Sequence, residues 1–304
     1  MNHRVRAWLL IVLIATICAG AVWGVAWYRS RDLTTPALLR RLPSSDALVV
    51  YIDFAALRRA GILSRIEPSK LTEDAEYADF VRKTDFDYKQ DLDTAIAAFA
   101  PNGKFLLLRG QFDWKSLRSY VASENGSCYN SLCRMQGSTQ DRRISFFPLQ
   151  TNLMALAVSQ DESAAVRMQD TAPGPVLEAP DAPVWLSLPA ALLRSSDLPS
   201  GARPFAQAVA QAEAVTLSFA PDHDRIAAKL NVRCHTPQDA AALAAQLSRA
   251  TALLREMLAR DRQTADPAGL SGVLTAGSFR SDGARVFGYW PIEKSFLDNI
   301  FSAS

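Results

Sequence analysis

Histidine is almost missing from this chain: His3, His223 and His235 are the whole complement in 304 residues. A Ser-His-Asp arrangement would have to rest on His223 or His235, and neither sits in a motif for it. Zinc meets the same shortage. His235 directly follows Cys234 on a strand-like run, where neighbouring side chains point to opposite faces and chelate poorly. Phosphate loops are lacking as well. No G-x-G-x-x-G occurs, and "NGK" at 102–104 has neither the upstream glycine nor the Ser/Thr that such a loop needs. "GLSG" at 269–272 falls short of a G-x-S-x-G elbow. There is no dense basic cluster. The chain has 33 Lys+Arg against 31 Asp+Glu, and setting aside Arg4, Arg6, Arg29 and Arg31 leaves 29 against 31. A body so balanced carries no electrostatic footprint for nucleic acid. Nothing in the sequence calls for a cofactor.

What is present begins with an uncharged run. Ala7 to Tyr28 contains no Asp, Glu, Lys or Arg. At about 1.5 Å per residue a helix there spans roughly 33 Å, enough for a bilayer core. Trp8 lies at one end and Trp23, Trp27 and Tyr28 at the other, where amphipathic rings favour the interface. A cleaved signal could end at Ala19-Gly20-Ala21, but the apolar run continues past it. A lipoprotein signal at Cys18 would follow the bulky Ile17, where a small residue is expected. The expectation is an uncleaved single-pass anchor, with residues 1–6 a short cytoplasmic tail, 7–28 the transmembrane helix and 29–42 a juxtamembrane connector. Basic residues flank both sides, so the orientation follows from the layout of the n- and h-regions. The body is then periplasmic or extracellular on the inner (plasma) membrane. In that compartment Cys128 and Cys133, in "SCYNSLCRM", could close a small disulfide loop. Cys234 reads as a buried small hydrophobe.

The body suggests an internal repeat. "DALVVYIDFAALRR" (46–59) laid on "DAPVWLSLPAALLR" (181–194) gives seven identities in fourteen positions. The expected fold is α+β: two similar halves of mixed helices and antiparallel strands, at 43–170 and 184–304, joined by a Pro-rich linker at 171–183. In the first half "DLDTAIAAFA" reads as a helix, and "SQDESAAVRMQ" as a helix with a capping box from Ser159 to Glu162. In the second, "PFAQAVAQA" reads as a helix and Ala212–Cys234 as a hairpin around Pro-Asp-His-Asp. A long helix starts at Thr236-Pro237, and "LSGVLTAGSFR" reads as a strand.

Four aspartates, Asp85, Asp87, Asp91 and Asp93, crowd "TDFDYKQDLDTA". A calcium loop counted from Asp85 would put Lys89, Gln90 and Ile96 where a ligand, a glycine and the closing glutamate belong. The aspartates read instead as a helix start, with Asp91 or Asp93 as the cap. Aromatic stretches at 111–114, 144–149 and 286–290 read mainly as core, with a groove for lipid or peptide as the alternative.

The run from "LPSSDALVVYIDFAALR" through "TDFDYKQDLDTA" to "RGQFDWKSLRSYV" resembles a family of uncharacterised, membrane-anchored bacterial envelope proteins. The resemblance covers roughly residues 40–170. It rests on Leu42, Pro43 and Asp46, on Phe86, Asp87, Tyr88, Asp91, Leu92 and Asp93, and on Gly110, Phe112 and Asp113. It implies no activity. Thr84-Asp85 departs from the Thr-Gly of that pattern.

The expectation for function is a non-enzymatic envelope protein that binds or assembles with another envelope protein or lipid. One alternative is a hydrolase or transferase using Asp53, Asp85, Asp87 and Asp91. Another is a carrier of an apolar ligand or lipid, built on the aromatic segments.

Overall fold

Twelve strands join edge to edge in a single antiparallel sheet in the computed structural model. It describes residues 34–44, 46–63, 75–137, 139, 142–171, 177–189, 212–261 and 265–302, with Thr16, Gly20, Leu192 and Val209 isolated. The strands are β1 (Leu48–Asp53), β2 (Leu92–Ala100), β3 (Gly103–Gly110), β4 (Ser127–Tyr129), β5 (Leu132–Gln136) and β6 (Arg143–Gln150). They continue with β7 (Leu153–Ser159), β8 (Val184–Pro189), β9 (Ala212–Asp222), β10 (Arg225–Cys234), β11 (Ser278–Asp282) and β12 (Arg285–Ile292). Their order across the sheet is β11-β12-β10-β9-β8-β1-β2-β3-β7-β6-β5-β4.

This corrects the expected fold. In place of two similar halves of mixed helices and strands joined by a linker, one twelve-stranded sheet runs through both stretches, with β1 and β8 pairing directly. "DLDTAIAAFA" is not a helix but lies in β2, where alanine's helical preference loses to pairing on both sides, with β1 and β3. "LSGVLT" is a short helix and not a strand. No described helix is long and apolar enough to cross a membrane. The expected membrane helix at 7–28 lies outside the described residues apart from Thr16 and Gly20, and "PFAQAVAQA" apart from Val209 and Ala212.

The helices of the first wing are α1 (Thr35–Leu39), α2 (Phe54–Arg59), α3 (Ala75–Thr84), α4 (Tyr88–Asp91), α5 (Trp114–Ser123) and α6 (Ala164–Arg167). Those of the second are α7 (Pro237–Arg260), α8 (Leu270–Thr275) and α9 (Lys294–Ser302). The Thr236 hydroxyl caps α7 by accepting from Asp239 N at 3.1 Å, and Pro237 opens the helix. The capping box expected at Ser159 does not form. Asp161 instead accepts from Ser163 N ahead of α6.

The register explains which helix covers what. On one face, called here the back, a row runs Cys133–Phe146–Leu156–Leu106–Ala97–Val50–Leu186–Leu217–Leu230. It is apolar from end to end. Phe80 of α3 with Leu117 and Val121 of α5 pack on its first-wing part, and Ala240, Leu243 and Ala244 of α7 on its second-wing part. On the front face, α1 and α6 bring Leu38, Leu39, Ala164 and Ala165 against Val49, Ile96, Phe105, Leu107 and Ala155. Burial of each such large side chain contributes about 1.5–3 kcal/mol. Tyr51 stacks on Trp185 at 5.5 Å, closing this core across the β1–β8 seam.

Candidate functional site

Beyond that seam the front face changes character. One row continues from Val49 through Ser187, Thr216, Asn231 and Phe287 to Arg280. The next continues from Tyr51 through Trp185, Ser218, Lys229 and Tyr289 to Ser278. A third brings Ala214, Arg233 and Arg285 abreast. The second-wing members of these rows, from Ser187 and Ser218 outward, floor a cleft of about 710 Å³ whose wall is the segment Leu177–Pro180. Strict alternation puts them there. In β10, Lys229, Asn231 and Arg233 alternate with Leu230 and Val232, which point into the back core.

Charge in the cleft is mostly positive. Arg285 donates two hydrogen bonds to the Glu178 carboxylate at 3.0 and 3.1 Å, fastening the wall to the floor. That hydrogen-bonded guanidinium holds Glu178 below the usual carboxylate range. Arg280 lies over the Phe287 ring at 4.6 Å, and Arg233 pairs with Glu213 at 2.8 Å. Tyr289 donates to Asp222 at 2.8 Å, and this bond, with some burial, pushes its phenol up. Among the described residues Lys229 has no ion-pair partner. The side chains of Ser187, Thr216, Ser218 and Asn231 have no hydrogen-bond partner there either. Floor groups of both polarities thus stand ready for a ligand with anionic and hydrogen-bonding groups.

The sequence-derived candidates fall elsewhere. Asp53 caps α2 by accepting from Ala56 N, and Asp87 caps α4 by accepting from Lys89 N. Asp91 accepts from Asp87 N at 2.7 Å. Asp91 and Asp93 therefore do not cap a helix over 94–100, and Asp93 instead stands 3.9 Å from Arg58. Asp85 has φ 55°, the left-handed region that favours glycine. None of the four carboxylates of the hydrolase alternative lines this cleft. Arg58 donates to the carbonyls of Lys89 and Leu92, tying α2 to the start of β2. At Gly110 a side chain would fall 2.3 Å from the Asp91 carbonyl, so that close crossing needs glycine. The acidic segment thus fastens loop to sheet. Tyr77 packs against Tyr88, and burial pushes its phenol up to about 12.

Cys128 and Cys133 face each other across β4 and β5 and are joined, while Cys234 is free and buried. His235 contacts Glu213 at 3.1 Å, and no group of metal-ligating side chains occurs among the described residues. The aromatic segments divide. Phe112, Trp114 and Phe146 pack in the first-wing back core, as expected of core rings. Phe287 and Tyr289 floor the cleft instead.

No protein-family model matches the chain, and no curated protein matches it. Solved structures do. Crystal forms III and IV of TP0453 align with TM-scores of 0.50 and 0.51, each at 11% identity. Each alignment covers 87% of this chain, with 97% and 95% of theirs. Crystal form I of the same protein gives 0.47 at 10% identity, over 87% of this chain and 96% of that one. The likeness is one of fold.

Proposed function

We propose that this chain is a non-catalytic binding protein of the cell envelope whose recognition surface is the front cleft of the second wing. One observation carries the reading. A face of the sheet that is apolar and helix-covered on one side of the seam becomes a polar and cationic floor on the other, with no helix over it among the described residues. The Thr216 hydroxyl, the Asn231 amide and the Lys229 ammonium are at least partly exposed, so water satisfies them at little cost, yet they give a ligand several bonding groups in fixed register. The rows favour an extended partner bearing carboxylates or other anionic groups over an apolar one. The apolar run at 7–28 and the bonded Cys128–Cys133 pair support a location on the outer side of the plasma membrane.

Two measurements test this. A reporter enzyme fused after residue 304, active only outside the cytoplasm, should be active. A photo-crosslinking amino acid at Thr216 should capture a discrete envelope component in intact cells, and capture should fall sharply in Lys229→Gln/Arg280→Gln. Capture that ignores those substitutions would rule out recognition by this floor.

A further inference from the structure

A second cleft lies at the far end of the first wing, about 990 Å³, and among the described residues four cationic side chains and one carboxylate line it, as in the first. Four segments meet there. Arg41 follows α1, Lys104 opens β3 beside the β2–β3 turn, Arg142 precedes β6, and Arg167 ends α6. Among the described residues Asp161 is the one carboxylate in the lining, and it is already engaged by Arg167 at 3.1 Å. Among the described residues the side chains of Arg41, Lys104 and Arg142 have no partner, so three cations from three segments gather around one concavity with no described counter-charge of their own. Like charges gathered without counter-charge repel one another, and an anion relieves that repulsion. Thr139 and Asn102 add uncharged hydrogen-bonding side chains to the same wall. At Gly103 a Cβ would stand 2.7 Å from the Val158 carbonyl and 2.8 Å from Ser159 Cβ, so the turn that bears Lys104 can carry no side chain there.

We propose that this cleft binds a phosphate-bearing ligand, with Arg41, Lys104 and Arg142 as its charge-assisted donors. Guanidinium groups present paired N–H donors that match phosphate oxygens, and the lysine adds a point charge. A carboxylate ligand offers two oxygens, whereas a diphosphate carries enough oxygens and charge to engage three cations arriving from three segments. The phosphate has two possible sources, a soluble phosphorylated molecule or a lipid headgroup. Arg41 lies only thirteen positions beyond Tyr28 in the sequence, which makes the second source a real alternative. The site is independent of the front cleft of the second wing.

The test uses the full chain in neutral detergent micelles titrated calorimetrically with inorganic pyrophosphate. Saturable binding is expected, weakening steeply with added salt. Arg41→Gln/Lys104→Gln/Arg142→Gln should weaken it roughly a hundredfold. Lys115→Gln, on α5 and in the lining of neither cleft, should leave it unchanged. All three positions are at least partly solvent-exposed, and a circular-dichroism spectrum and melting temperature like those of the parent show that the triple variant folds. No binding by the parent chain, or equal binding by the triple variant, overturns the proposal. Repeating the titration in phosphatidylcholine nanodiscs with and without phosphatidylglycerol separates the sources. Competition by the anionic lipid assigns the site to a headgroup, and unchanged affinity assigns it to a soluble phosphate compound.

Discussion

The two wings of the sheet share a strand order up to a point. Outward from the seam the first runs β1-β2-β3-β7-β6 and the second β8-β9-β10-β12-β11, each with its longest helix on the back. They differ on the front. In the first wing the front rows hold Val49, Ala98, Phe105 and Ala157, sealed by α1 and α6. In the second the same rows hold Ser187, Thr216, Asn231 and Phe287, and among the described residues only the 177–180 segment crosses them. One sheet face therefore serves stability on one side and presents polar and cationic groups on the other.

The largest expected effect separates these roles directly. Leu107→Ala, at a site 1% exposed on the covered front, should cost about 2–5 kcal/mol in urea unfolding. Thr216→Ala, on the open front, should change stability by less than about 0.5 kcal/mol. Similar costs at both would break the comparison. Next comes the disulfide, which closes a short loop at the first-wing edge. Reducing it should remove about 2 kcal/mol on the loop-closure account, without changing capture at the second-wing cleft. Urea curves with and without reductant measure the first part, and crosslinking yield the second. Thr236→Ala, which uncaps the helix behind the second wing, should cost about 1 kcal/mol, seen as a lower urea midpoint.

The smallest effect is the pH response of the wall. Glu178 is held below its ordinary value of 4.5 by Arg285, so the bond is present above that value and lost as pH falls through the depressed one. Amide exchange at 177–179 should therefore speed up only below about pH 4.5, relative to intrinsic rates. Glu178→Gln should show the fast behaviour already at neutral pH. A native chain with no such acid step would mean that the wall is held by other contacts.

The legibility of this in the sequence follows from the range of the interactions. Local signals spoke plainly at Thr236-Pro237, where a cap and a first-turn proline open α7, and at Pro-Asp-His-Asp, which turns β9 into β10. They misled at Ala95–Ala100, because alanine's preference for helix is weak beside pairing on two sides. Asp91 and Asp93 were misassigned with it, since a cap was read into a strand that has none. The cleft was hidden for another reason. Thr216, Asn231 and Phe287 become neighbours only through register, which no local window contains. The alternation of polar with apolar residues in β9 and β10 did announce a wet face. It could not say that the face would lie next to a dry one.

The seam itself has a consequence in time. Val49 pairs with Ser187, so the outer edge of β1 has no partner until the chain has grown past the whole first wing. At roughly 5–20 residues per second that interval is on the order of ten seconds. An apolar strand edge left bare for so long invites pairing with any other strand, including one from a neighbouring copy. The order of synthesis thus makes β8 the element on which clean folding waits. Any holding factor that meets this chain as it emerges has that bare edge to protect.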